Sequence, residues 1–117
     1  RYGISIGHHD TDNVVRDNDV RASGEVGILF RKERIAAFQG NRNRIQNNRI
    51  AGIVQDRGVG IDVRGETKAI HIVGNEIRET GGPAQRIGVR IAAEAADIRL
   101  EGNRIDGFSQ SVLDLRT

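Results

Sequence analysis

Ile70-His71-Ile72-Val73-Gly74-Asn75-Glu76-Ile77 is the stretch whose reading decides the fold. Its first four residues alternate as a half-buried strand does. Gly74-Asn75 then breaks the run, and an aliphatic residue returns at Ile77. The same pattern recurs as Asn18/Val20, Asn48/Ile50 and Asn103/Ile105, with the asparagines 30, 27 and 28 residues apart. Three residues before each asparagine stands an aliphatic side chain: Val15, Ile45, Ile72 and Leu100. Strands are therefore expected at Asn13 to Asp17, Asn43 to Asn47, Ile70 to Gly74 and Ile98 to Gly102. A fixed period of this size marks a solenoid, in which each repeat buries its apolar face only against its neighbours. Each asparagine is expected to take the left-handed bend between two strands. Its amide is expected to bond to the asparagines above and below, as identical side chains do in stacked sheets.

A second element lies upstream in every repeat. It reads Gly3-Ile4-Ser5-Ile6, Gly27-Ile28-Leu29-Phe30, Gly60-Ile61-Asp62-Val63, Gly88-Val89-Arg90-Ile91 and Val112-Leu113-Asp114-Leu115. Period-2 alternation with β-branched residues predicts strands here. From this glycine to the next asparagine the distances are 15, 21, 15 and 15 residues, so the second coil carries an insertion near Arg31 to Asn41. Helical repeats would need apolar residues at i, i+3, i+4 and i+7, which these segments lack. Ala92 to Ala96 is briefly helix-like but short enough to be a turn between strands. Glycine-rich calcium nonapeptides are absent.

Composition fits a solenoid better than a compact globule. Of 117 residues 37% are hydrophobic and only 3% aromatic, with 15 Gly and one Pro. No cysteine is present, which excludes disulfides and thiolate sites. No apolar run is long enough for a membrane span. The formal net charge of +2, with acids interspersed among the arginines, does not point to nucleic acid. The chain opens at Arg1 without an initiator Met, as a mature product or a piece of a longer solenoid would.

The Gly-Ile-x-Ile and Ile-x-Ile-x-Gly-Asn-x-Ile patterns resemble the right-handed parallel β-helix repeat of the pectate-lyase-like superfamily. The repeats predict one all-β domain over residues 1–117 of about five coils with ends that do not look capped, and the resemblance implies that it winds as a right-handed parallel β-helix. That superfamily includes polysaccharide lyases, uronate epimerases, glycoside hydrolases, tailspikes and non-catalytic surface proteins. The resemblance implies an extracellular or periplasmic protein whose substrate groove runs along the Gly-Ile-x-Ile strands.

Alternation assigns the faces of those strands. Ile4/Ile6, Ile28/Phe30, Ile61/Val63, Val89/Ile91 and Leu113/Leu115 are expected to point inward. Ser5, Leu29, Asp62, Arg90 and Asp114 form one outward column, and Gly7, Arg31, Arg64, Ala92 and Arg116 the next. Guanidinium groups grip carboxylates bidentately, so Arg31, Asp62, Arg64 and Arg90 are the substrate-binding candidates for an acidic polysaccharide. A surface on which the acids merely neutralise the arginines is the alternative. On the second sheet, Val14, Arg44, His71 and Arg99, with Arg16, Gln46, Val73 and Glu101 beside them, read as a solvated face.

The densest chemical cluster is His8-His9-Asp10-Thr11-Asp12, directly after the first groove strand. Imidazole beside carboxylate can move a proton near neutral pH, so His8, His9 and Asp10 are the catalytic candidates. Asp10, Asp12 and Asp62 could bind Ca²⁺, a cation that takes hard oxygen ligands. A polar turn is the plainer reading of the cluster. Within the insertion, Lys32 could act as a base and Phe38 could stack on a sugar or pin the loop. The functional alternative is a non-catalytic solenoid that stacks end to end on a second copy of itself.

Overall fold

The structure, a computed structural model, describes residues 2–7, 10–21, 24–34, 39–53, 58–79 and 85–116. Among the described residues the chain forms thirteen strands and no helix. In chain order they are β1 (Tyr2–Ile6), β2 (Val14–Arg16), β3 (Asp19–Arg21), β4 (Val26–Phe30), β5 (Arg44–Gln46) and β6 (Arg49–Ala51). These are followed by β7 (Val59–Val63), β8 (Lys68–Val73), β9 (Glu76–Arg78), β10 (Ile87–Ile91), β11 (Ala96–Glu101), β12 (Arg104–Asp106) and β13 (Gln110–Asp114).

Every third strand returns to the same sheet. The first sheet runs β1-β4-β7-β10-β13, the second β2-β5-β8-β11 and the third β3-β6-β9-β12. Their pairings are parallel throughout. The fold is a parallel β-solenoid. The first sheet holds five strands and the others four, so the chain completes fewer than the five coils expected. The connection from β4 to β5 is the longest between the first two sheets, where the sequence placed an insertion.

The core is a column of stacked aliphatics. Ile28, Phe30, Ile61, Val63, Val89 and Ile91 from the first sheet meet Ile45 and Ile72 from the second and Ile50 and Ile77 from the third, all 0% exposed. Each such side chain contributes about 1.5–3 kcal/mol by leaving water. The glycine opening β4, β7 and β10 has a packing reason. A Cβ on Gly27, Gly60 or Gly88 would lie within 2.7 Å of both a third-sheet isoleucine γ-methyl (Ile50, Ile77 or Ile105) and a carbonyl of the next coil. Only a residue without a side chain lets those isoleucines reach the backbone.

The asparagine ladder is present and continuous. Asn18 Nδ2 donates to Asn48 Oδ1 at 3.0 Å, Asn48 Nδ2 to Asn75 Oδ1 at 3.0 Å and Asn75 Nδ2 to Asn103 Oδ1 at 2.9 Å. The same oxygens accept the backbone N–H of the asparagine one coil earlier, at 3.0, 2.9 and 2.9 Å. The remaining amide hydrogens of Asn48, Asn75 and Asn103 go to the carbonyls of Val15, Ile45 and Ile72. Asn48 and Asn75 are each 1% exposed, so the ladder satisfies buried polar groups rather than decorating a surface.

Two expectations need correction. The ladder asparagines do not carry the left-handed bend. It falls one residue earlier, at Asp17, Asn47, Gly74 and Gly102, with φ of 57°, 54°, 66° and 61°. The division has a physical reason: the residue before turns the chain, which leaves the asparagine side chain pointing in to bond along the stack. A second left-handed column, Asp12, Arg42, Ala69 and Asp97, turns the chain into the second sheet. The other correction concerns β13. Val112, Leu113 and Asp114 pair with Val89, Arg90 and Ile91, one residue out of the expected register. Leu113 thus stands opposite Arg90, and Leu115 is 46% exposed. Aliphatics at 112, 113 and 115 suit either register. The choice is made upstream, where the Ser109 N–H and hydroxyl both bond to the Arg86 carbonyl, at 3.0 and 2.8 Å.

Candidate functional site

The outer face of the first sheet is where the sequence placed a groove, and its columns run as expected from β1 to β10. Ser5, Leu29, Asp62 and Arg90 are register partners. The face is not uniformly open. Leu29 is 2% exposed and forms a small apolar cluster with Val26, Val59 and Ile87, apart from the main core. Asp62, next in the column, is 1% exposed.

Asp62 is covered by the two arginines it was expected to accompany. Arg90 donates from Nε to Oδ1 at 3.1 Å and from Nη2 to Oδ2 at 2.7 Å. Arg64 donates from Nε to Oδ2 at 2.8 Å. The side chains of Arg64 and Arg90 remain 37% and 35% exposed. The hydrogen bond to Asp62 pushes the Arg90 pKa above its ordinary value, so its charge is fixed at any working pH. One buried carboxylate therefore orients two half-exposed cations and leaves the trio a net positive charge. Buried ion pairs add little net stability, and their better-attested value is in holding a geometry. Arg64 keeps its two terminal nitrogens, and Arg90 its Nη1, clear of Asp62.

Beside Arg90 the face hollows into a cavity of about 330 Å³, lined by Gln85, Ile87, Arg90, Ser109 and Gln110. An apolar residue, a guanidinium, two amides and a hydroxyl line it, so it offers hydrogen-bond donors and acceptors beside one fixed positive charge. The size falls within the range of small-ligand sites. Gln85, Ser109 and Gln110 escaped the sequence reading because no pattern joins them; the loop geometry and the β13 register bring them to Arg90.

At the other end of the face, Arg31 donates to Ser5 Oγ at 2.6 Å and to Glu33 Oε2 at 3.3 Å. Both side chains lie over Gly7, where a Cβ would overlap the Glu33 carboxylate. Asp10 Oδ2 accepts the Gly7 N–H at 3.1 Å, and the Asp10 N–H bonds back to the Gly7 carbonyl. Asp10, Arg31 and Glu33 thus gather around one glycine, and Glu33 is the member the sequence reading missed. His8 and His9, the proposed proton carriers, lie outside the described residues, as does Phe38. Lys32 is 69% exposed and lies 4.0 Å from Glu94.

The insertion is pinned from inside. Gln39, 1% exposed, donates to the Arg31 carbonyl at 2.9 Å and to Thr67 Oγ1 at 2.6 Å, and accepts the Glu33 N–H at 2.6 Å. Asn43, 2% exposed, bonds to the carbonyls of Asp10 and Gly40. These contacts tie the loop that carries Arg31 to both neighbouring coils.

The three carboxylates considered for Ca²⁺ are committed elsewhere. Asp10 closes its own turn, Asp12 pairs with Arg42 at 2.8 Å, and Asp62 lies under two arginines. The Arg42 hydrogen bond lowers the pKa of Asp12. Among the described residues no three acidic or imidazole side chains gather where a metal ion could be held.

Fold and site together define a parallel β-solenoid with an arginine-bearing outer sheet. Comparison with protein-family models, with curated proteins and with solved structures found no match.

Proposed function

We propose that the chain binds, and as part of an enzyme processes, an acidic polysaccharide laid along the first sheet. The observation that carries this reading is the Arg64–Asp62–Arg90 trio beside the 330 Å³ cavity. A pre-oriented guanidinium loses little entropy when it takes a carboxylate, so its spare donors favour a uronate over a neutral sugar. Gln85, Ser109 and Gln110 would meet the ring hydroxyls. In a lyase or epimerase of this kind, His8, His9 or Asp10 would move the proton and Arg31 would hold a further carboxylate. A right-handed winding, kinship with the pectate-lyase-like proteins and an extracellular or periplasmic site belong to the same proposal. The hand follows the rule for parallel crossovers, and the kinship follows the repeat pattern.

The test is titration of the chain with polygalacturonate and with neutral dextran. Binding of polygalacturonate alone, weakened about tenfold or more in the Arg64→Gln/Arg90→Gln double variant, is the expected result. Equal binding of both polymers, or an unaffected variant, would refute it. A second reading is a structural solenoid that joins a second copy through its edge strands. It draws support from Tyr2 (40% exposed) and Val14 (56%) on the first coil and Val112 (39%) and Leu115 (46%) at the other end. Light scattering decides it by showing whether mass rises with concentration.

A further inference from the structure

By sequence, the anion-binding arginines are expected on the first sheet and the second is an ordinary solvated face. The ion pairs divide the faces differently. On and beside the first sheet Arg64 and Arg90 share Asp62, Arg31 has Glu33 and Arg116 has Asp114. On the third sheet Arg21, Arg49, Arg78 and Arg104 all lie against Asp19, Glu76 or Asp106. Among the described residues, the basic side chains with no carboxylate in ion-pair reach are Arg16, Arg34, Arg44, Lys68 and Arg99. Four of these five belong to the second sheet, one on each of β2, β5, β8 and β11, and all four are exposed.

We propose that the outer face of the second sheet is a docking strip for an acidic polysaccharide chain lying across its strands. Neighbouring strands stand about 4.8 Å apart, so each successive strand adds one cation along the stacking axis, with Lys68 offset three residues from the Arg44–His71–Arg99 column. A linear polyanion presents charge at intervals in the same way. Arg44 and Arg99 lie in one column on either side of His71, and Arg16 opens the adjacent column. Two acids belong to the strands of this face: Glu101 contacts His71, and Asp97 takes the left-handed turn near the start of β11; Asp17 follows β2 in another such turn. An incoming carboxylate meets guanidiniums that have no ion pair to break, whereas on the first sheet it must share them with Asp62. The strip has no Phe, Tyr or Trp on any of its four strands. Single-stranded nucleic acid is held by such aromatic platforms together with charge, so their absence from these strands favours the polysaccharide.

The test uses the full chain with polygalacturonate, dextran and a thymidine oligonucleotide as probes, over a salt series. The Arg44→Gln/Arg99→Gln variant removes two exposed groups that carry no ion pair, so its circular dichroism should match the parent's. Added to the Arg64→Gln/Arg90→Gln background, which removes first-sheet binding, the same pair should lower the affinity for polygalacturonate about tenfold or more, with a shallower salt dependence, and Lys68→Gln should deepen the loss. Unchanged polygalacturonate binding when Arg44→Gln/Arg99→Gln is added to that background would overturn the proposal. So would an oligonucleotide that binds more tightly than polygalacturonate and is lost in the same variant. The first-sheet reading is judged separately by Arg64→Gln/Arg90→Gln, so either surface can fail while the other stands.

Discussion

Replacing Asn75 by alanine should cost far more than the same change at Asn18, although both are rungs of one ladder. Asn75 is 1% exposed and its side chain makes four hydrogen bonds: it accepts from the N–H and Nδ2 of Asn48 and donates to the Ile45 carbonyl and to Asn103 Oδ1. Truncation strands the buried Asn48 N–H, one Asn48 amide hydrogen and a lone pair of Ile45. Asn103 Oδ1 keeps the Asn75 backbone N–H, so it is not orphaned. A buried donor left without its partner costs about 1–3 kcal/mol, and the other losses about 1 kcal/mol each. The total is roughly 3–5 kcal/mol, a large share of the 5–15 kcal/mol typical of a folded domain. Asn18 is exposed, and its side chain only donates, to the Arg16 carbonyl and to Asn48 Oδ1. Its loss should cost about 1 kcal/mol or less. Urea unfolding followed by circular dichroism measures both. Equal losses in the two variants would refute the idea that the ladder acts by satisfying buried groups.

Gly60→Ala should destabilise by about 1–3 kcal/mol, because the new methyl would sit 2.5 Å from the Gly88 carbonyl oxygen and 2.7 Å from Ile77 Cγ2; unchanged urea unfolding would contradict this. Gln39→Ala removes the buried clamp on Arg31, Glu33 and Thr67 and should cost about 2–3 kcal/mol, with a lower melting temperature as the readout. The side-chain hydrogen bond from Arg116, helped by the Arg116 backbone N–H, holds the Asp114 pKa at about 2, below its ordinary value of 3.8. The stabilisation from that depressed value is present above about pH 4 and fades as pH falls through 2. Because the Asp114 side chain is 38% exposed, the effect should stay within about 1 kcal/mol. Melting curves of Asp114→Asn and the parent should differ slightly at pH 6 and converge near pH 2.

Much of the scaffold was readable because a stack repeats one decision. Alternation at Ile28/Phe30, Ile61/Val63 and Val89/Ile91 named the inward residues, and those six are fully buried. Spacing alone located the ladder and the insertion. The second-sheet columns Val14-Arg44-His71-Arg99 and Arg16-Gln46-Val73-Glu101 are the observed register partners. Where the pattern allowed two answers, it misled. At β13, the aliphatics Val112, Leu113 and, just beyond the strand, Leu115 fit either register, and a serine before the strand decides between them. The left-handed turn could have been assigned from Asp17, Asn47, Gly74 and Gly102, all of types that tolerate it, but the repeated asparagine beside them drew the assignment. The site was harder to read because its pairings cross coils. Asp62 and Arg90 are 28 residues apart, and so are Gln39 and Thr67. Such contacts become visible only once the strand register is known, and burial of Asp62 under two cations turns a ligand candidate into a positioning group.

Register is the claim on which both proposed binding surfaces rest, because a slip of one residue exchanges every inward side chain for an outward one. The chain contains no cysteine, so a pair introduced on adjacent strands can report register without interference. Gln46 and Val73 are register partners on β5 and β8, within the Cα separation a disulfide spans. Under mild oxidation Gln46→Cys/Val73→Cys should cross-link rapidly and completely within single chains, and Gln46→Cys/Ile72→Cys, which points one thiol inward, should not. Preferential cross-linking of the second pair would show that the faces have been assigned the wrong way round.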